Sequence, residues 1–282
     1  MKKIKKIAVL TMARNDNFFL GRWIAYYGKI FGEKNLYAYL DGLDQKAPAG
    51  IGRANVTAVP KMPNNRILND RARARYLSDR AADLFSRGYD IVIATDSDEF
   101  IANDPKTKMN LAEYLSHIEI DGAVSALGLD VAQHLKTEPA LDKARPFLAQ
   151  RQFALIHSRM TKASVINRPL RWGSGWHRVK GRNLRIDPNL YLFHTGNADF
   201  DTVMAKFQSG DLAKGRWRNH FLRSRLGVIE TVSDKKARDG DRLFGRARAI
   251  QTIFRPPFAW NKPTMIGLKW VVKIPERFKG LL

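Results

Sequence analysis

Short apolar runs alternate with amphipathic segments over the first half of the chain. Residues 7–10, Ile-Ala-Val-Leu, form a run suited to a strand buried on both faces. A polar turn follows, in which residues 15–17 offer helix caps. Phe19, Trp23, Tyr26, Tyr27 and Ile30 then recur at helical spacing and predict an amphipathic helix that ends near Gly32. A second strand is predicted over 36–40, stopping at Asp41-Gly42, and a third over 56–59, closed by Pro60. Between 64 and 87 the spacing predicts a long helix with Leu77, Ala81, Leu84 and Phe85 inward and Gly88 just past its end. Residues 89–95 predict a fourth strand that delivers Asp96 and Asp98 at its C-terminal end. A helix over 110–118 and a strand over 123–129 follow, and 153–194 reads as strands and loops rich in Arg, Trp and Gly.

Strands alternating with helices at this spacing predict a parallel, doubly wound α/β sheet. Such sheets bind ligands beyond the carboxyl ends of their strands. Arg14-Asn15, Asp41 and the segment from Asp96 to Asp98 all fall on that one rim.

Composition changes the picture in two ways. The 282 residues carry 49 Lys and Arg against 27 Asp and Glu, a net charge of +22, which points to anionic partners. Half of that excess, +11, lies in residues 201–282, so the expected organisation is a catalytic domain over 1–200 and a basic, largely helical C-terminal extension over 201–282. Cysteine is absent, which excludes disulfides, zinc–thiolate sites and cysteine nucleophiles. The basic opening is interrupted at Arg14 before it makes a signal segment, and no apolar run approaches the ~18–20 residues of a membrane span. The expectation is a cytoplasmic chain, either soluble or peripheral on the inner face of the plasma membrane.

Asp-x-Asp occurs three times, at Asp96/Asp98, Asp199/Asp201 and Asp239/Asp241, where chance gives about one or two. Only the first directly follows an apolar strand. Two carboxylates at a strand end can hold a divalent cation rigidly, and such a cation neutralises the charge that develops on a departing nucleotide diphosphate. Oxygen ligands suit Mg²⁺ or Mn²⁺.

With these residues in place the chain resembles the glycosyltransferase family 2-like proteins of GT-A fold. The resemblance runs over about residues 4–200 and is carried by five segments in order. They are Thr11-Met12-Ala13-Arg14-Asn15-Asp16 with the Trp23-bearing helix, the Asp41-Gly42 turn, Thr95-Asp96-Ser97-Asp98-Glu99-Phe100-Ile101, Trp172-Gly173-Ser174-Gly175-Trp176-His177-Arg178-Val179, and Leu190-Tyr191-Leu192-Phe193-His194. Arg22 and Tyr27 depart from the Glu and His common in that family. The resemblance implies a GT-A, Rossmann-like, mostly parallel sheet flanked by helices. It implies that Asp41 binds the base or ribose of a nucleotide-sugar, that Arg14 and Asn15 line the same pocket, and that Asp96 and Asp98 carry the metal. His194 would be a further metal ligand, and a nitrogen donor beside carboxylates favours Mn²⁺ over Mg²⁺. Family 2-like membership implies transfer with inversion to a glycan or lipid-linked acceptor, as in bacterial surface-polysaccharide synthesis.

Other features stay open at this level. His177 and Asp199 are candidate general bases, with Asp130 as a rival. Arg168, Arg171, Arg178 and Arg182, near Trp172 and Trp176, either clamp a diphosphate or form a solvated basic face. Arg71, Arg73, Arg75 and Arg80 cannot share one helix face, so most are expected to be exposed. The tail mixes basic residues with Trp217, Phe221, Phe254, Phe258, Trp260 and the 266–274 stretch, a pattern of interfacial anchoring on anionic lipid or of packing onto the domain. The rival classes are a basic nucleic-acid-binding protein and a nucleotidyltransferase. The acidic rim speaks against the first, so no nucleic acid is expected, and the missing Gly-rich phosphate loop speaks against the second.

Overall fold

The computed structural model describes residues 4–208 and 222–282. Strands β1 (Ile7–Ala13), β2 (Leu36–Asp41), β3 (Asn55–Val59) and β4 (Ile91–Ala94) are mutually parallel in the order β3-β2-β1-β4. The side-chain alternation of β1 shows why this sheet needs cover on both faces. Ile7 and Val9 enter one apolar cluster, with Phe19, Trp23 and Tyr27 of helix α1 (Asn17–Phe31). Ala8, Leu10 and Met12 enter another, with Leu77, Ala81 and Leu84 of helix α2 (Arg66–Ser86). Helix α1 stops at Gly32, whose φ of 82° excludes most side chains. Asn65 caps α2 by accepting hydrogen bonds from the amides of Ile67 and Leu68.

The second half is mixed rather than parallel. After β5 (Glu99–Asn103) and α3 (Leu111–His117) come β6 (Ala123–Ala132), the short α4 (Phe147–Gln150), β7 (Phe153–Ile156), β8 (Val165–Ile166) and β9 (Ile186–Asn197). Strand β8 lies antiparallel between β4 and β6, β7 is antiparallel to β6, and β9 is parallel to β6 but antiparallel to β5. The expected parallel arrangement therefore holds for the first four strands and breaks where the connecting helices cease.

Residues after 200 supply α5 (Phe200–Gln208), α6 (Gly227–Asp234), β10 (Arg238–Asp239), α7 (Gly240–Ile253) and β11 (Trp270–Lys273). They are not helical throughout. Strand β11 pairs antiparallel with β7 and extends the sheet, and Val272, Ile274 and Phe278 share a core with Leu129, Phe193 and Phe244. The 266–274 stretch therefore does not lie wholly on the surface: from Val271 on, apolar side chains are interior. Residues 216–218 and Phe221, part of the expected anchor, lie outside the described residues. Among the described residues no helix is long and apolar enough to cross a membrane.

Candidate active site

Because β1, β2 and β4 are parallel, their C-terminal turns open onto one rim, and the Asp98 segment meets β9 there. Helix α1 fixes the loop after β4. Trp23 Nε1 donates to Thr95 Oγ1 at 2.8 Å, Ile101 N donates to Tyr27 Oη at 2.8 Å, and Tyr26 Oη donates to the Ile101 carbonyl. Thr195 N donates to the Asp98 carbonyl at 2.8 Å, locking β9 to the same loop.

The carboxylates are paired with cations. Asp96 receives Arg73 Nη2 at 2.8 Å and Lys162 Nζ at 2.9 Å, and Lys162 also reaches Glu99 Oε1 at 2.5 Å. Burial pushes Asp96 up, but Lys162 and Arg73 outweigh it and hold it at about 2. For Glu99 burial wins over Lys162, and its carboxyl is raised. Asp98 Oδ2 lies 3.3 Å from His194 Nε2 and 3.2 Å from Arg225 Nη2. Against burial, His194 and Arg225 hold Asp98 well below the usual carboxylate range. Asp16 joins the rim, accepting from Ser97 Oγ at 2.8 Å and Lys206 Nζ at 2.6 Å. A methyl group at Gly196 would strike both the Arg225 guanidinium and the Asp98 carboxylate, so the bare backbone there is what lets the two meet.

Behind His194 stands Asp130, fully buried, which accepts from His194 Nδ1 at 2.6 Å and Asn197 Nδ2 at 2.7 Å and lies 3.3 Å from His157 Nδ1. Burial disfavours the imidazolium of His194, but Asp98 and Asp130 on either side outweigh it and raise the ring to about 10. Linkage then sets the sign of a stability profile. Asp96, below its unfolded value of about 3.9, stabilises fully above about pH 4 and loses that contribution as the pH falls towards 2. His194 stabilises fully below about pH 6.5 and loses its contribution as the pH rises towards 10. Thermal melts should show a plateau between about pH 4 and 6.5 with a fall on each side. His194→Gln should flatten the alkaline limb and leave the acid limb in place; an unchanged alkaline limb would remove His194 as its source.

The expected site residues do not all gather. Asp41 closes β2, but one carboxylate oxygen accepts from Met62 N at 2.5 Å. Arg14 donates to the Asp41 carbonyl and pairs with both oxygens of Asp44, and Asn15 takes a φ of 51° with its amide on Gln45. These three residues form the wall of the rim beside β2. His177 lies close enough to Lys162 and Asp96 to feel their charge. Burial first, then Lys162 and Lys262, push its imidazole down to about 3, so it is neutral. Asp199 is committed elsewhere: it caps α5 through Thr202 N at 3.0 Å and Thr202 Oγ1 at 2.6 Å and accepts from Leu141 N at 3.0 Å. Asp239, of the third Asp-x-Asp pair, likewise caps a helix, accepting from Arg242 N. Trp172 and Trp176 are core residues, while Arg168 and Arg182 pair with Asp121 and Arg171 with Asp79, away from the rim.

Among the described residues no three His, Asp or Glu side chains converge as a ready ligand set for a metal ion. Asp98 Oδ2 and His194 Nε2 do form a two-donor edge, with Asp130 orienting the imidazole from behind as outer carboxylates orient metal-binding histidines. Arg225 already spans that edge, with Nη2 3.2 Å from Asp98 Oδ2 and Nη1 2.9 Å from His194 Nε2, so a divalent cation would have to displace its guanidinium. Asp96, the expected third ligand, faces Arg73 and Lys162 instead.

Sequence reasoning missed Arg73, Lys162, Arg225 and the orienting role of Asp130. Arg73 had a signal, since it precedes Leu77 by four residues and so sits on the inward face of α2. Lys162 and Arg225 had none, because their partners lie 31 or more residues away.

No protein-family model matches the chain, and no curated protein matches it. Among solved structures it is similar to mannose-1-phosphate geranyltransferase from Thermus thermophilus, at 9% identity over 97% of this chain and 76% of that one, with a TM-score of 0.31. It is also similar to the apo bifunctional glycosyltransferase WbbM, at 15% identity over 47% of this chain and 24% of that one, with a TM-score of 0.24. Likenesses this loose fix neither activity nor substrate, and functional meaning comes from the site's own side chains.

Proposed function

We propose that this chain is a nucleotide-sugar-dependent glycosyltransferase of GT-A type, acting with inversion on a glycan or lipid-linked acceptor. The observation that supports it most is the rim where the turns after β1, β2 and β4 meet the Asp98–His194–Asp130 chain. Asp41, Arg14 and Asn15 would face the nucleoside, and the diphosphate would lie towards Asp96 and Asp98. In the reaction the acceptor oxygen attacks the anomeric carbon from the face opposite the diphosphate. The bond from that carbon to the diphosphate oxygen breaks, and its electron pair leaves with the nucleoside diphosphate. Arg73, Lys162 and Arg225 supply fixed positive charge beside the leaving group, which matters most as that charge develops. A divalent cation held by Asp98 and His194 would have to displace the imidazolium proton and the Arg225 guanidinium; once bound it would add Lewis-acid neutralisation of the diphosphate, and the nitrogen donor favours Mn²⁺ over Mg²⁺. His177, kept neutral, would accept the hydroxyl proton. Burial is the larger cause of the low basicity of His177, and the incoming diphosphate would offset only the further depression by Lys162.

Thermal-shift measurements with UDP, GDP, CDP and dTDP, each with and without Mn²⁺, test this reading. One base should stabilise the protein, by about 2.7 kcal/mol at a hundredfold excess over Kd, and Mn²⁺ should enlarge the shift. No response to any nucleotide, together with salt-dependent binding of unrelated DNA or RNA, would replace the enzyme with the nucleic-acid-binding alternative.

A further inference from the structure

Half of the large apolar side chains exposed among the described residues fall within 253–268: Ile253, Phe254, Phe258, Trp260, Ile266 and Leu268. Phe258 is 83% exposed, Trp260 71% and Ile266 57%. Such a concentration is unusual for a surface that meets only water. The segment is nonetheless anchored. Ala259 and Met265 are buried beneath it, Asn261 Nδ2 donates to the Val179 and Arg182 carbonyls, and Arg255 Nη1 donates to the Trp260 carbonyl at 3.0 Å. Pro256, Pro257 and Pro263 restrict its backbone further. The exposed rings therefore stand on a fixed loop.

Beside Trp260 opens a cavity of about 490 Å³, lined also by Asp121, Arg182, Arg185, Asn183 and Asn261. Arg182 and Arg168 share the single carboxylate of Asp121, and Arg185 donates to the Glu119 carbonyl, so positive charge predominates at the cavity. Arg168 Nε is buried with no hydrogen-bond partner among the described residues.

We propose that this face docks onto an anionic lipid bilayer, with Phe258, Trp260 and Ile266 entering the interfacial zone and a headgroup phosphate held by Arg182 and Arg185. Bulky apolar groups supply insertion, and flanking cations supply attraction to a negative leaflet; a surface with both binds more tightly than with either alone. Charge complementarity with the +22 chain selects the anionic membrane among apolar partners. The cavity includes Ala123, the first residue of β6, seven residues from Asp130, which makes a separation of roughly 20 Å along the strand. The cavity thus lies at the far end of β6, while Lys262, on the loop between Trp260 and Ile266, is near enough to His177 to depress its imidazole, so the docking loop extends from that end towards the rim.

The test is co-sedimentation with vesicles of phosphatidylcholine alone or with 30 mol% phosphatidylglycerol (about one anionic headgroup in three), at low and high salt. The wild-type chain should partition at least about tenfold more strongly onto the anionic vesicles, and salt should reverse much of the gain. Phe258→Ser with Trp260→Ser, and separately Arg182→Gln with Arg185→Gln, should each weaken binding about tenfold while leaving the nucleotide-induced thermal shift unchanged. Equal partition onto neutral vesicles, full binding by both double variants, or occupation of the face by a second copy or a soluble acidic oligosaccharide would overturn the proposal. Because nucleotide binding is read separately, vesicle results and the donor-site reading can fail independently.

Discussion

Asp98→Asn should lower kcat/KM by about 10²- to 10³-fold, the scale of losing one electrostatic contributor to a developing anion. The amide keeps the size of the carboxylate, and Thr195 still meets the residue-98 carbonyl, so the loop keeps its course. What disappears is the charge that holds His194 and Arg225 together at 3.3 Å and 3.2 Å from one oxygen. Leaving those cations without their carboxylate costs up to about 3–5 kcal/mol. Steady-state transfer and a melting curve on the same sample separate the two effects. Near-wild-type turnover in the folded variant would remove Asp98 from the reaction.

Trp23→Ala should destabilise the protein by about 3–5 kcal/mol, because the indole is fully buried between the sheet and Tyr27 and leaves a large void. Trp23→Phe separates packing from positioning. The phenyl ring refills much of the space, but the donor to Thr95 Oγ1 is lost, at about 0.5–1.5 kcal/mol, and Thr95 keeps only its bond to the Tyr27 hydroxyl. Thr95 immediately precedes Asp96, so transfer should fall further than the loss of stability accounts for. Urea denaturation and kinetics compared across the pair check this. Full activity in Trp23→Phe would show that the hydrogen bond does not position the acidic loop.

Most elements of the first 132 residues were legible, because their signals are local. An unbroken apolar run marked β1, helical spacing of aromatics marked α1, and glycines at φ of 82° and 80° stood just past the two long helices. The Asp96 and Asp98 pair was legible for the same reason, since strand and turn adjoin it. Beyond β6 the sequence became ambiguous. Strands as short as Val165–Ile166 carry no period, and the Trp270–Lys273 strand looks like an amphipathic anchor until its partner β7 is known. The charge pairing of the rim was hidden because proximity across a sheet leaves no trace in spacing. The acidic rim read from sequence as a repulsive patch is neutralised by Arg73, Lys162, Lys206 and Arg225.

The Asp98–His194–Asp130 chain joins residues 96 and 64 positions apart, from the turn before β5 and from β9 and β6, which neighbour each other only after the sheet is complete. Contacts of such long range form late, since their loops must close before any reward is collected. On refolding from denaturant, helical circular dichroism should therefore return well before catalysis does, and a half-assembled sheet should have no share of the activity.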